Sequence, residues 1–479
     1  MSRVSMFLPP CWLFCLCAAA AEGELPAEPC QVQFLTSGGG PLSDAFGWSL
    51  AIDGDYLVVG AHADSSQVQS GGVVYVYKRG PYTLTEGTWH VQAKLLPPNP
   101  KFEQGFGLSI DLDGDVLVVG APGISFSDGS QVGEAYVFRR TGNVWTQVAQ
   151  LVSSGSSEGD NFGASVAIDG GVIAVGADGE DTYTGTAYVF QHDGTAWNEA
   201  ARLRGSASTT GDGFGTSLDV AGPRLIVGAP FEDPADPGNP KCKSGAAYAY
   251  EHNGIAWVEE SKLVPSDTAC HHVFGHSVAL DGSTVVVGAT GHSGGAGAAY
   301  VFIMEAGSWQ QQGLLIASDG APPEHLGRPV AIDGDCVLVG SPEHDTPSGV
   351  DSGAVYLYIR QGTSWQESRQ FVPSSDGCCQ EFGAGLTISG PVIAAGVPAQ
   401  SRAEIYSFFP SLPCIPAASV VGLAGLGFAF VLVGGILLRR RGVGDSSARS
   451  SDQEESHGRR NVACGCNRSR PPPTTKSGF

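Results

Sequence analysis

The chain has 479 residues, of which 26 are Lys or Arg and 48 are Asp or Glu, giving a formal net charge of -22. The balance is uneven, because residues 439–479 hold nine basic and four acidic residues while 22–438 hold 16 basic and 44 acidic ones, near -28. A surface of that sign repels phosphate and argues against nucleic acid as a partner, and 15% charged residues with 68 glycines suit short strands joined by tight turns, with few helices.

From the N-terminus, Arg3 leads into the apolar stretch Met6 to Cys17 and then Ala18 to Ala21, the pattern of a secretory signal over residues 1–21. Beyond it one frame is written seven times: an aromatic-Gly pair, a turn seven residues on, and an apolar run ending in Gly-Ala or a close relative. The copies begin at Phe46, Phe106, Phe162, Phe214, Phe274, Leu326 and Phe382. A repeat of this length marks blades of a propeller or turns of a solenoid.

Resolved into strands, the first copy alternates over Ser49 to Asp53, turns at Asp53-Gly54, and runs apolar from Tyr56 to Val59 into Gly60-Ala61. Asp-Gly between such runs is a hairpin signal. A third strand follows at Val73 to Lys78 and a fourth from Trp89 to Leu95, and four strands are the content of one propeller blade. The aromatic start and the Gly of Gly-Ala are 14 residues apart in all seven copies. Length varies instead between that Gly and the third-strand Tyr, by 15, 16, 12, 20, 12, 16 and 10 residues. In an up-and-down blade the second-to-third loop opens on the same face as the loop to the next blade, so the variable loops share one face.

Six Trp-led fourth strands serve seven copies, and the last copy stops near Phe409 without one. Leu35 precedes Phe46 by 11 residues, the interval that separates each fourth strand's Leu or Phe from the next copy. The segment from about Gln31 to Leu35 is therefore expected to pair with the last copy and close the ring, removing free sheet edges. Next, Ile415 to Leu438 is a 24-residue stretch without a charge, followed by Arg439-Arg440-Arg441. That length and basic flank predict one transmembrane helix with its C-terminal side in the cytoplasm. The tail 439–479, rich in Ser, Arg and Pro, is expected to be disordered.

Phe106-Gly107 with Gly120-Ala121-Pro122, and Phe214-Gly215 with Gly228-Ala229-Pro230, resemble the FG-GAP repeat of integrin α-chain-like β-propellers. The resemblance covers about residues 30–409. It implies an all-β, seven-bladed propeller at a cell surface whose loop-rich face binds proteins or glycans. Members of that family often carry an Asp-rich calcium loop between the first two strands. Here that place holds only short turns such as Asp53-Gly54-Asp55, Asp113-Gly114-Asp115 and Asp333-Gly334-Asp335. Calcium takes about six to eight oxygen ligands, more than such a turn wraps around it, so the calcium site is not carried over and no cofactor is expected. The sixth copy replaces the aromatic with Leu326, which predicts weaker packing between blades there.

Seven cysteines fall in the exported region. Candidate disulfides are Cys242 with Cys270, on neighbouring loops, and Cys30 with Cys414, which flank the closing joint. Cys336 sits in an apolar strand and is expected as a buried free thiol. Cys270, His271, His272 and His276 form the densest set of soft metal ligands, read here as structural rather than as a zinc site. The loop acids Glu180-Asp181, Glu232-Asp233-Asp236 and Glu343-Asp345-Asp351 are expected as solvated charge. No nucleophile elbow, zinc-protease helix or phosphate loop is present. The sequence thus predicts a non-catalytic, single-pass type I membrane protein whose extracellular propeller recognises a protein or glycan. A polysaccharide-active propeller enzyme and a structural envelope protein are the alternatives.

Overall fold

The computed structural model describes residues 31–408 except 38–43, 81–87, 124–131, 156, 234–241, 348 and 376. The signal segment, the apolar stretch 415–438, the tail, Cys30 and Cys414 lie outside the described residues. Among the described residues no helix is long and apolar enough to cross a membrane.

Seven four-stranded antiparallel sheets make up the domain. Six are consecutive in sequence, the first being Leu50–Asp53, Tyr56–Ala61, Val73–Arg79 and Trp89–Leu95. The seventh takes its outer strand from the other end of the chain: Gln31–Thr36 pairs antiparallel with Arg402–Ser407, from Gln31 opposite Ser407 to Thr36 opposite Arg402. That strand supplies the partner that the last copy lacks and closes a seven-bladed β-propeller. Among the described residues helix is confined to the four-residue turns Glu180–Tyr183 and His292–Gly295 and the 3-10 turn Pro398–Gln400.

Second strands are the most deeply buried, as Tyr56–Ala61 shows with every residue buried, because both of their faces meet neighbouring blades. Between blades the repeat aromatics are the anchors. Phe46, Phe106, Phe162, Phe214, Phe274 and Phe382 are all 0% exposed. Each meets a third-strand Tyr edge to face; Phe106, for example, lies 5.5 Å from Tyr136 and 6.1 Å from Phe138. Such pairs add about 0.5–1.5 kcal/mol beyond burial. Leu326 keeps the position buried at 1% exposed.

The glycines of the frame follow from close approach. Gly163 sits at φ +95, and a Cβ on it would lie 2.5 Å from the Glu134 carbonyl oxygen. Gly120, in the preceding blade, leaves no more room, since a Cβ there would lie 2.2 Å from the Gly163 carbonyl oxygen. Two backbones meet there with no side chain between them. At the hairpin turn the positive φ falls on Gly54 and not on either Asp, so Asp53 is the last strand residue rather than a turn residue. This shifts the sequence reading by one position and frees the Asp53 side chain for another task.

Candidate ligand-binding face

That task is to tie blades together. The Gly114 N–H donates to Asp53 Oδ2 of the preceding blade at 2.7 Å. The bond recurs from Gly170 to Asp113, from Gly222 to Asp169, from Gly334 to Asp281 and from Gly390 to Asp333. At the opposite end of the inner strand, the Ser49 hydroxyl donates to the Gly107 carbonyl of the next blade at 2.7 Å, and Ser109, Ser165, Ser217 and Ser277 repeat it. Where the turn reads Asp-Gly-Asp, the second Asp binds an Arg at the end of the third strand: Asp55 with Arg79, Asp115 with Arg140 and Asp335 with Arg360. The face bearing the Asp-Gly turns is therefore spent on structure.

The central channel is occupied by side chains. Arg328 of the sixth blade stacks over Trp48 of the first, 5.7 Å from its ring centroid, although the seventh blade separates them around the ring. His62 meets the same indole edge to face at 5.2 Å. His276, on an inner strand, is pulled down to about 4 by burial and then by Arg328. Further along, Asp111 accepts from Leu112 N–H at 2.8 Å and from Ile168 N–H of the next blade at 2.7 Å. Asp219 does the same with Val220 and Leu280. Burial raises Asp111 to about 6, and burial followed by the Asp111 charge raises Asp219 to about 8.

The other face carries the second-to-third loops, those of the first six blades held to the start of the next by a bridge such as Gly72 to Phe106 or Gly185 to Phe214. Here the third-strand Tyr hydroxyls meet carboxylates drawn from different elements. Tyr188 donates to Glu180 at 2.7 Å, Tyr248 to Glu232 at 2.8 Å, Tyr300 to Asp267 at 2.8 Å, Tyr356 to Asp319 at 2.7 Å and Tyr406 to Glu404 at 2.7 Å. In the first blade, burial and then Asp64 and Asp44 push Tyr75 up to about 12. The carboxylates are held by Lys101 at Glu134, by Arg202 and Arg204 at Glu180, by Lys262 at Glu232 and by Arg402 at Glu404. The fifth and sixth blades use histidine instead: His292 stands 3.3 Å from Asp267, and His344 stands 3.6 Å from Asp319 and 3.0 Å from a second carboxylate, Glu324.

Several readings of the loops change. Glu180 and Glu232 are 3% and 4% exposed, not solvated, because Tyr hydroxyls and cations replace their water. Asp233 accepts the Lys243 N–H, Asp345 accepts the Asp351 N–H at 2.9 Å, and Glu343 holds His325 and Arg328; Asp236 lies outside the described residues. Cys242 and Cys270 are joined in a disulfide between the fourth and fifth blades' loops. Cys336 is fully buried and is disulfide-bonded rather than a free thiol; the half-buried Cys378 and Cys379 are disulfide-bonded as well. Cys270 and the three histidines near it do not converge, since His271 is exposed, His272 packs 4.9 Å from the His292 ring and His276 faces the channel. Among the described residues no group of three His, Cys, Asp or Glu is placed to hold a metal.

Among the described residues a cleft of about 670 Å³ opens on this face above the third blade, and a smaller one of about 340 Å³ above the second. The larger runs between Gly155 and Ser157–Asp160 of the incoming loop and Gly179–Tyr183 of the helical turn, with Arg202 at its wall. Tyr183 stands at its rim, 56% exposed. Sequence reasoning singled out Glu180 and Asp181 but missed Tyr183, whose position in the frame is not a repeated one.

The family model described as FG-GAP repeat matches residues 30–77, 89–138, 145–190, 197–250, 257–302 and 309–358. No match is found among curated proteins. Among solved structures, one titled "Crystal Structure of Mitotic Checkpoint Complex" aligns with a TM-score of 0.49 at 11% identity, over 85% of this chain and 99% of that one.

Proposed function

Because the chain belongs to the FG-GAP repeat family of β-propellers, we propose that it is a membrane-anchored, extracellular, non-catalytic recognition module whose variable-loop face binds a protein or glycan. One observation carries the reading. Ties between blades consume the Asp-Gly face and the channel, whereas the loops that differ in length, and the cleft among them, gather on the opposite face. Binding residues belong on loops held by a rigid scaffold, and the closed ring is such a scaffold.

The alternative of a polysaccharide-active enzyme in the channel draws less support, because both oxygens of Asp111 and of Asp219 already accept backbone N–H groups. Anchoring and orientation rest on the apolar stretch 415–438 with its arginines and on the leader-like segment 1–21. The test is to present the full chain to glycan and protein arrays and to a polysaccharide panel. Saturable binding with no release of reducing ends is expected; turnover of a polysaccharide would overturn the reading. Impermeant biotinylation of cells expressing the full chain should label lysines of the propeller, such as Lys243, and protection of those lysines would place the domain on the wrong side.

A further inference from the structure

Two loops of the ring share a backbone and differ in residues. Glu180–Tyr183 in the third blade and His292–Gly295 in the fifth are four-residue turns on the two second-to-third loops whose Gly-to-Tyr interval is 12 residues. In the fifth blade the left-handed φ values fall on Ser293 at 51, Gly294 at 76 and Gly295 at 102. In the third they fall on Asp181 at 50, Thr182 at 60 and Tyr183 at 61. That region suits glycine, tolerates Asp or Asn, and is strained for a β-branched or bulky residue. The third blade keeps Thr and Tyr where its counterpart shows that glycine serves the fold.

Packing does not explain the choice, since Tyr183 is 56% exposed. Strain held without return in the fold points to use outside it. The cleft beside Tyr183, at about 670 Å³, is within the range of roughly 300–1,000 Å³ typical of small-ligand sites. Its charges largely satisfy one another: Arg202 binds Glu180, and Arg204 binds both Glu180 and Asp181. What remains is a ring face at the rim and, inside, carboxylate, guanidinium and hydroxyl groups able to donate and accept hydrogen bonds. A pyranose offers the complement, with an apolar C–H face and vicinal hydroxyls. Glu158, Asp160 and Asp181 around the cleft repel sulfated or carboxylated sugars.

We propose that this cleft binds a neutral oligosaccharide, with Tyr183 stacked on one pyranose ring and Asp160, Asp181 and Arg202 bonding its hydroxyls. The proposal rests on the recognition reading above and names its site and ligand class.

The test uses the full chain, purified in a polyoxyethylene detergent, with immobilised maltotriose, cellotriose, mannotriose and chitotriose as probes and a Lys/Arg-rich peptide as the competing class. At least one trisaccharide should bind, with affinity unchanged in 0.5 M salt. Tyr183→Gly should weaken that binding tenfold or more while its melting temperature stays at or above the parent's, because a strained residue has been relieved. Tyr183→Phe, which keeps the ring, should bind within about twofold of the parent. Trisaccharide binding that survives Tyr183→Gly, or salt-sensitive binding of the peptide alone, overturns the site while leaving the recognition reading in place. Failure of all four probes also overturns the proposal, whereas hydrolysis of a probe removes the recognition reading itself.

Discussion

The joint between the first and second blades and the joint between the seventh and first are built from different materials. In the former, Ser49 and Asp53 both reach across to the backbone of the next blade. In the latter, the matching positions hold Gly385 and Ser389, and the tie comes from the closing strand. Gln33 donates to the Trp89 carbonyl at 2.8 Å and accepts the Trp89 N–H at 2.7 Å, while Leu35 is buried among Phe46, Val392 and Ile405. Blades that follow one another in sequence are fastened by repeated side chains. The ring is fastened by six residues of backbone pairing from the far end of the chain, which makes the repeated Ser and Asp dispensable at that joint.

The largest effect is expected from breaking an ordinary joint at its aromatic. Phe106 is fully buried against Tyr136 and Phe138, so Phe106→Ala should cost about 3–5 kcal/mol, read as a shift in the denaturant midpoint. A loss under about 1 kcal/mol would mean that the Ser and Asp ties, rather than the aromatics, hold consecutive blades together.

How much of this is visible without coordinates depends on whether a contact repeats. Phe106, Gly120, Trp145 and Leu151 stand in register with their counterparts in other copies, and spacing alone gives the blades, their number and the strand that closes them. Asp53 is equally regular, but turn chemistry explains its regularity locally and masks its bond to Gly114 of the next blade. The contact between Arg328 and Trp48 has no counterpart among the described residues and spans the channel between blades that are not neighbours, so no interval encodes it. Tyr183 is hidden for a third reason: its left-handed backbone runs against the preference of the residue, and a sequence reading follows preference. Glu180 and Glu232 read as surface charge because the partners that let them be buried, Arg202 and Lys262, lie on fourth strands distant in sequence.

A second way to test the joints is through pH. Asp219 spans the fourth and fifth blades, and burial followed by the Asp111 charge raises it from 3.8 to about 8. The folded chain then holds this proton more tightly than the unfolded chain does. The stability it contributes is complete below about pH 4 and is lost as pH rises toward 8. Asp111, raised to about 6, adds to the same slope over its lower half. The unfolding free energy should therefore fall between pH 5 and pH 8.5 by on the order of 4 kcal/mol, and Asp219→Asn should flatten most of that fall. A midpoint that rises over this range would show that the two backbone donors, not burial, set the charge of Asp219.

The smallest expected effect bears most directly on the two kinds of joint. Ser389 ends its inner strand opposite Val392, as Asp53 ends its own opposite Tyr56 and Asp333 opposite Cys336. A carboxylate at 389 should therefore reach the Gly54 N–H just as Asp333 reaches that of Gly390 at 2.7 Å. A hydrogen bond to a charged acceptor contributes about 1.5–3 kcal/mol when buried, but this turn is exposed and the ring around it is already acidic, so the gain from Ser389→Asp is expected near 0.5 kcal/mol. It should grow with added salt, because screening weakens repulsion from the other ring carboxylates more than it weakens a direct bond. If Ser389→Asp instead destabilises at every salt concentration, the closing joint differs from the others in backbone geometry and not only in side chains, and the N-terminal strand then sets the spacing of the seventh and first blades as well as joining them.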